Sequence, residues 1–137
     1  MNKQERNEKG FTMVELIIVV AIMGIIGALL VPAFGTMSAK ARLSTDISTV
    51  KTLKRTADSF KAEQGKFPVS TGDNLSTLVG KLKASNYLET DVALQTGGDI
   101  DVNNETIKLS LKAADKTGEY SKALQQIDAK TSTDWVK

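Results

Sequence analysis

The 137-residue sequence contains no cysteine and no histidine. Without cysteine there is no disulfide to staple a fold, no thiol chemistry and no thiolate metal site. Without histidine the chain lacks the commonest general base and metal ligand. Aromatic residues are sparse, with one Trp, two Tyr and four Phe. Scattered in this way they suit a core better than a conduction path. No charge of one sign dominates. The formal net charge is +2, and it is split: residues 40–64 carry six Lys/Arg against three Asp/Glu, whereas residues 73–137 carry eight against ten. A nucleic-acid partner is not indicated by such a balance. The sequence shows no phosphate-binding loop, no nucleophile with a base and no metal cluster, so it reads as a non-enzyme with no cofactor. Its length suits one small domain and an anchor, with no room for a second large core.

What the chain does have is one long hydrophobic run. From Phe11 to Phe34 only Thr12 and Glu15 are clearly polar, and Leu16–Val31 has no polar side chain. As a helix these residues span roughly 36 Å, enough to cross a hydrocarbon core of about 30 Å. Charges stop at Lys9, Gly10 intervenes, and the run begins at once. Glu15 lies inside it, where an unpaired charge is costly and therefore marks function.

Lys9-Gly10-Phe11-Thr12-Met13-Val14-Glu15-Leu16 resembles the prepilin signal of type IV pilins and the related pseudopilins of type II secretion and competence systems. In that superfamily a short charged leader ends in Gly and a membrane peptidase cuts on the cytoplasmic side. The new N-terminal Phe is N-methylated, and a Glu four residues later guides assembly. The resemblance therefore implies cleavage between Gly10 and Phe11, methylation of Phe11, and pairing of Glu15 with the Phe11 amine of a neighbouring subunit. The match is strict over Lys9–Leu16 and looser as far as Pro32-Ala33-Phe34. Many Gram-negative pilins close their C-terminal region with a disulfide, which this chain cannot form. An ordinary secretory signal is a rival reading, because Ala39-Lys40-Ala41 has the small-x-small cleavage pattern. Against it, the apolar core exceeds the usual 7–15 residues, contains Glu15 and ends well before that site.

The helical pattern continues past the apolar run. Leu43, Ile47, Val50, Leu53, Ala57 and Phe60 recur at spacings of three or four, forming one apolar stripe. Gly65 and then Pro68 signal its end. One helix is expected from about Phe11 to about Gln64, apolar all round in its first half and amphipathic in its second. Pro32, with Gly24 and Gly27 before it, weakens the middle. A tolerated kink is one reading. The resemblance supplies another, since related pilins lose helix here on assembly.

After the loop at Lys66–Asp73, Asn74 is a plausible cap for a short helix over about 74–86, with Leu75, Leu78, Val79 and Leu82 on one face. Strands are expected over about 91–112. Val92 and Leu94 would lead into a Gly97-Gly98 hairpin turn, Ile100 and Val102 would follow, and Asn103-Asn104 would turn into alternating Ile107, Leu109 and Leu111. Tyr120, Leu124 and Ile127 suit a short helix, and Thr131–Lys137 reads as a loose tail. Asp99, Asp101 and Asn103 imitate the start of a calcium loop, yet Asn104 replaces its Gly and Ser110 its final Glu. Asn74-Leu75-Ser76 and Asn104-Glu105-Thr106 match a short glycosylation pattern.

The expected fold class is α+β: a long N-terminal helix packed against a small antiparallel sheet. Residues 1–10 form the leader, 11–34 the transmembrane and filament-core helix, 35–65 its amphipathic half and 66–137 the head. The expected function is a structural type IV pilus subunit, first a single-pass inner-membrane protein and then part of an extracellular filament. Its implied partners are itself, a prepilin peptidase, a platform protein, an assembly ATPase and, before assembly, the membrane. A pseudopilin and a membrane-anchored binding module that never polymerises are the alternatives. The processing step is directly testable. Intact-mass analysis of membrane or filament protein should find a chain beginning at methylated Phe11, and Gly10→Val should leave the leader attached. A mature N-terminus at Ala39 or later would support ordinary secretion.

Overall fold

The computed structural model describes residues 10–112, 118 and 120–137. The leader before Gly10 lies outside the described residues. The chain divides into two units, Met1–Phe34 and Gly35–Lys137.

The first element, α1, is Met13–Gln64. It starts two residues later than the hydrophobic run because Thr12 caps it, and it continues through Pro32. At the other end Gly65 adopts φ +74°, and its N–H donates to the Lys61 carbonyl at 2.8 Å. This left-handed C-cap is strained for a residue with a Cβ, so the glycine is the physical stop signal.

In the first unit the large apolar side chains from Phe11 to Phe34 are exposed. The helix is long and apolar enough to cross a membrane.

The second unit has its own core. Leu43, Ile47, Val50, Leu53, Ala57 and Phe60 are all buried, as their spacing requires. Each fully buried Leu or Val contributes about 1.5–3 kcal/mol relative to exposure. Helix α2, Leu75–Ala84, is capped by Asn74, whose Oδ1 accepts the Thr77 N–H at 2.9 Å, and buries Leu78, Val79 and Leu82. Strands β1, Asp99–Asn103, and β2, Thr106–Ser110, pair antiparallel with Ile100 opposite Leu109 and Val102 opposite Ile107. These four face the same core as the α1 stripe. The chain is thus α+β, a long helix with a small two-stranded antiparallel sheet.

The hairpin loop is Asn104-Glu105, one residue beyond the expected Asn103-Asn104. Both loop residues have positive φ, 45° and 66°, as a two-residue turn matching the strand twist requires. Gly97-Gly98 is not a hairpin loop. Gly97 closes a turn onto the Leu94 carbonyl at 3.2 Å, and a Cβ at Gly98 would lie 2.6 Å from the Ser110 carbonyl oxygen. Close backbone approach, not chain reversal, is what that glycine permits.

The expected strand around Val92 and Leu94 is also absent, and the chain directly after Leu94 is held by Asp46. This aspartate is fully buried on the α1 stripe. Its Oδ1 accepts the Gln95 N–H at 2.7 Å, and its Oδ2 accepts the Thr96 N–H at 2.8 Å and the Thr96 hydroxyl at 2.6 Å. Amides that a strand would offer to a neighbouring strand are given to a carboxylate instead. Val92 and Leu94 pack against the core as irregular chain. Nearby, Tyr87 donates to the Glu63 carboxylate and meets Phe60 edge-on at 5.3 Å. That hydrogen bond, then desolvation and the Glu63 charge, raises the phenol above its ordinary pKa of 10.0.

The C-terminal segment is ordered, contrary to the loose tail expected. Helix α3 is Ser121–Gln126 and α4 is Ala129–Trp135. Asp128 caps α4 by accepting the Thr131 N–H at 3.3 Å. Val136 then bridges Leu109 in parallel, Lys137 N–H donates to the Leu109 carbonyl at 2.8 Å, and Lys51 sits 5.3 Å over the Trp135 ring.

The Asp46 anchor predicts a large stability effect. Asp46→Ala leaves three donors without their acceptor and should cost about 3 kcal/mol or more, whereas Asp46→Asn keeps part of the network and should cost less. Denaturant unfolding of the detergent-solubilised chain measures both, and a change below about 1 kcal/mol for Asp46→Ala would contradict the anchoring role.

Candidate processing and assembly site

The site lies at the start of α1. Gly10, Phe11 and Thr12 are exposed and non-helical, and the Phe11 ring is 93% accessible. What keeps this stretch out of the helix is a reciprocal cap. Glu15 N–H donates to Thr12 Oγ1 at 3.2 Å, and Thr12 N–H donates to Glu15 Oε2 at 2.8 Å. The Leu16 N–H donates to the Thr12 carbonyl at 3.3 Å as the first helical bond. Thr12-Met13-Val14-Glu15 is therefore a capping box, a Thr followed three residues on by Glu. It satisfies two of the helix's otherwise free amides and holds the carboxylate against the positive end of the helix dipole.

Glu15 stands at the edge of a surface cleft of about 480 Å³ lined otherwise by Phe11, Leu16, Ile18 and Val19. A single carboxylate in an apolar cleft can accept a cation strongly once water is excluded. Farther along, Gly24 and Gly27 face open space: a Cβ at either would meet nothing within 4 Å. Among the described residues no neighbouring atom requires these glycines.

Phe11 and Glu15 line one cleft, Thr12 is tied to Glu15, and Gly10 stands exposed just before them. The sequence signal for Thr12 is the Thr-x-x-Glu spacing before an apolar stretch, beyond its being a polar residue in the run. The calcium candidates sit differently. Asp99, Asp101 and Asn103 alternate along β1 and are not wrapped in a loop. Asp99 Oδ1 accepts the Leu75 and Ile100 N–H groups at 2.8 Å, and Asp101 Oδ1 takes the Lys137 ammonium at 2.8 Å. Among the described residues no group of three acidic, His or Cys side chains is arranged to hold a metal ion. Of the two glycosylation patterns, Asn74 is committed to capping α2, while Asn104 stands in the exposed hairpin turn.

Residues 6–31 match the family model for the prokaryotic N-terminal methylation motif. Over most of its length the chain is similar to a fimbrial protein of Neisseria meningitidis serogroup A, at 33% identity covering 95% of this chain and 82% of the relative. The chain belongs to the type IV pilin superfamily. Other relatives span both branches. A type IV major fimbrial protein of Dichelobacter nodosus is 41% identical over 58% of this chain and 48% of its own length. The type II secretion system core protein G of Aeromonas hydrophila is 32% identical over 60% of this chain and 57% of its own. No solved structure matches the chain. As a superfamily member it is a self-polymerising structural subunit, anchored in the inner membrane as a peptidase-processed precursor and then carried on the cell surface in a pilus.

Proposed function

We propose that the chain is a type IV pilus subunit, without enzymatic activity, cut between Gly10 and Phe11 and joined to its neighbours through Phe11 and Glu15. The observation that carries this reading is the first unit itself. An exposed, non-helical Gly10–Phe11 bond is followed by exposed apolar side chains from Leu16 to Val31, with one carboxylate, Glu15, at their start. So large an apolar surface needs a partner other than water. Lipid covers it before assembly and other copies cover it afterwards.

Cutting turns the Phe11 amide into an ammonium, and methylation keeps that charge. In the low dielectric between packed helices, its attraction to a neighbour's Glu15 far exceeds the same attraction in water. Because one surface meets a different one, repetition gives an open helical filament. Lifting apolar helices out of lipid requires work, which assigns roles to a platform protein and an assembly ATPase. A pseudopilin is the second reading, favoured by the likeness to core protein G of a type II secretion system.

Gly24, Gly27 and Pro32 fit the same reading. Each weakens the helix, and among the described residues nothing packs against the two glycines. In a filament, surrounding subunits can compensate the backbone groups that local opening frees, whereas lipid cannot. The helix is therefore expected to open between Gly24 and Pro32 on assembly. A filament map with unbroken helix from Phe11 to Gln64 would leave Pro32 as a tolerated kink.

Electron microscopy of the producing cell tests the assembly claim. Deletion of the gene should remove surface fibres, and Glu15→Val should accumulate in the membrane at parental levels yet form no fibres. Absent fibres with lost secretion or DNA uptake would favour the pseudopilin, and normal fibres from Glu15→Val would refute the pairing.

A further inference from the structure

The two-stranded sheet has two outer edges, and the chain lays its own segments on both. Asn103 and Thr106 flank the hairpin loop as a hydrogen-bonded pair. Bonded and non-bonded pairs alternate along an antiparallel ladder. Val102 with Ile107, and Ile100 with Leu109, therefore turn their backbone groups outward. On the β1 side the Val102 carbonyl accepts the Gly72 N–H at 3.1 Å. On the β2 side the Leu109 carbonyl accepts the Lys137 N–H at 2.8 Å, and Val136 bridges Leu109 in parallel. Side chains from three elements or segments tie this last stretch down. Lys51 of α1 covers the Trp135 ring at 5.3 Å, and Lys108 Nζ donates to the Thr133 carbonyl at 2.7 Å. The Lys137 ammonium meets Asp101 of β1 at 2.8 Å. Each partly exposed tie is weak alone. Their strength is tethering, which presents the stretch to β2 at an effective concentration on the order of millimolar.

We propose that residues 133–137 are a strap that guards the outer edge of β2 against β2 of a second copy. An uncovered strand edge is a template for another strand. The partner that fits is β2 itself, paired antiparallel about Leu109. In that register Ile107 stands opposite Leu111 and Lys108 opposite Ser110, so apolar residues oppose each other and no like charges meet. Pairing about Lys108 instead sets two lysines face to face, which is unfavourable. A β2–β2 pair uses the same surface on both copies and closes on itself. An open filament needs one surface to meet a different one, so closed pairs withdraw subunits from growth. That consequence rests on the filament reading above, whereas the guarding of the edge does not.

The test uses the full chain in dilute detergent micelles, with a nitroxide on Thr106→Cys as its only thiol. Thr106 is exposed, and in a Leu109-centred pair the two labelled backbones stand about 20 Å apart. Double electron–electron resonance reads that spacing. The parent strap should show none of it at low concentration. Lys137→Pro, which removes the N–H given to Leu109, and deletion of Val136–Lys137 should each bring it in, with a pair dissociation constant at least ten-fold lower. Adding Ser110→Lys sets a lysine opposite Lys108 at both ends of the pair and should abolish the spacing again. Equal spacing distributions in the parent and Lys137→Pro would overturn the strap, whether or not the deletion variant folds. Association that survives Ser110→Lys would overturn the β2 register, because the copies would then meet elsewhere. Fibre yield separates the two readings. Parental yield from a strap variant that pairs in micelles would reject competition with growth, while fibres lost only in Glu15→Val leave the filament reading standing.

Discussion

In hydrocarbon, every backbone polar group must find a partner within the protein, and every charge must be held. The first unit obeys that constraint from its first turn. An apolar helix satisfies its own ladder, and its start is closed by Thr12 and Glu15 acting on each other. The single carboxylate is not a stray charge in a membrane span. It is the acidic half of a cap, stabilised by an amide and by the helix dipole. The same geometry that makes the precursor tolerable in lipid leaves one carboxylate oxygen available for a cation.

The second unit solves a different problem, building a core from a short chain with no disulfide. Its amphipathic helix face, α2 and the two-stranded sheet share one apolar cluster. A sheet this small offers few ladder bonds, and much of the connecting chain has no strand partner. Asp46 takes part of that load by accepting two amides and a hydroxyl from Gln95 and Thr96. A buried carboxylate is costly alone and favourable when fully hydrogen-bonded. Here it determines where the chain between α2 and β1 can run. The C-terminal segment adds a parallel bridge to β2 and a cation–π contact from Lys51 to Trp135.

Periodicity read well wherever burial followed a simple rule. The α1 stripe, the capped α2 and the alternating Ile107 and Leu109 all follow from spacing, because one face of each meets the core. The N-terminal motif, matched over residues 6–31, is legible for a different reason: it is a local run of sequence and depends on no long-range packing. What failed depended on long-range partners. Gln95 and Thr96 bond to Asp46, about fifty positions earlier, and no local pattern around Val92 and Leu94 announces it. Gly97-Gly98 carries a hairpin signature, yet Gly98 is small because the Ser110 backbone approaches it. Thr12 and Asp128 are a different case. Both caps have short, readable signatures: Thr12 stands three residues before Glu15, and Asp128 lies just ahead of the expected Thr131–Lys137 tail.

The central claim is that subunits join by an ammonium on Phe11 meeting the Glu15 carboxylate of a neighbour. A filament reconstruction at side-chain resolution measures it most directly. The account predicts each Phe11 nitrogen within about 3 Å of a Glu15 oxygen from another subunit, with the Leu16–Val31 segments buried together. A filament in which Glu15 contacts only its own chain, or in which the Phe11 nitrogen meets no carboxylate, would contradict it.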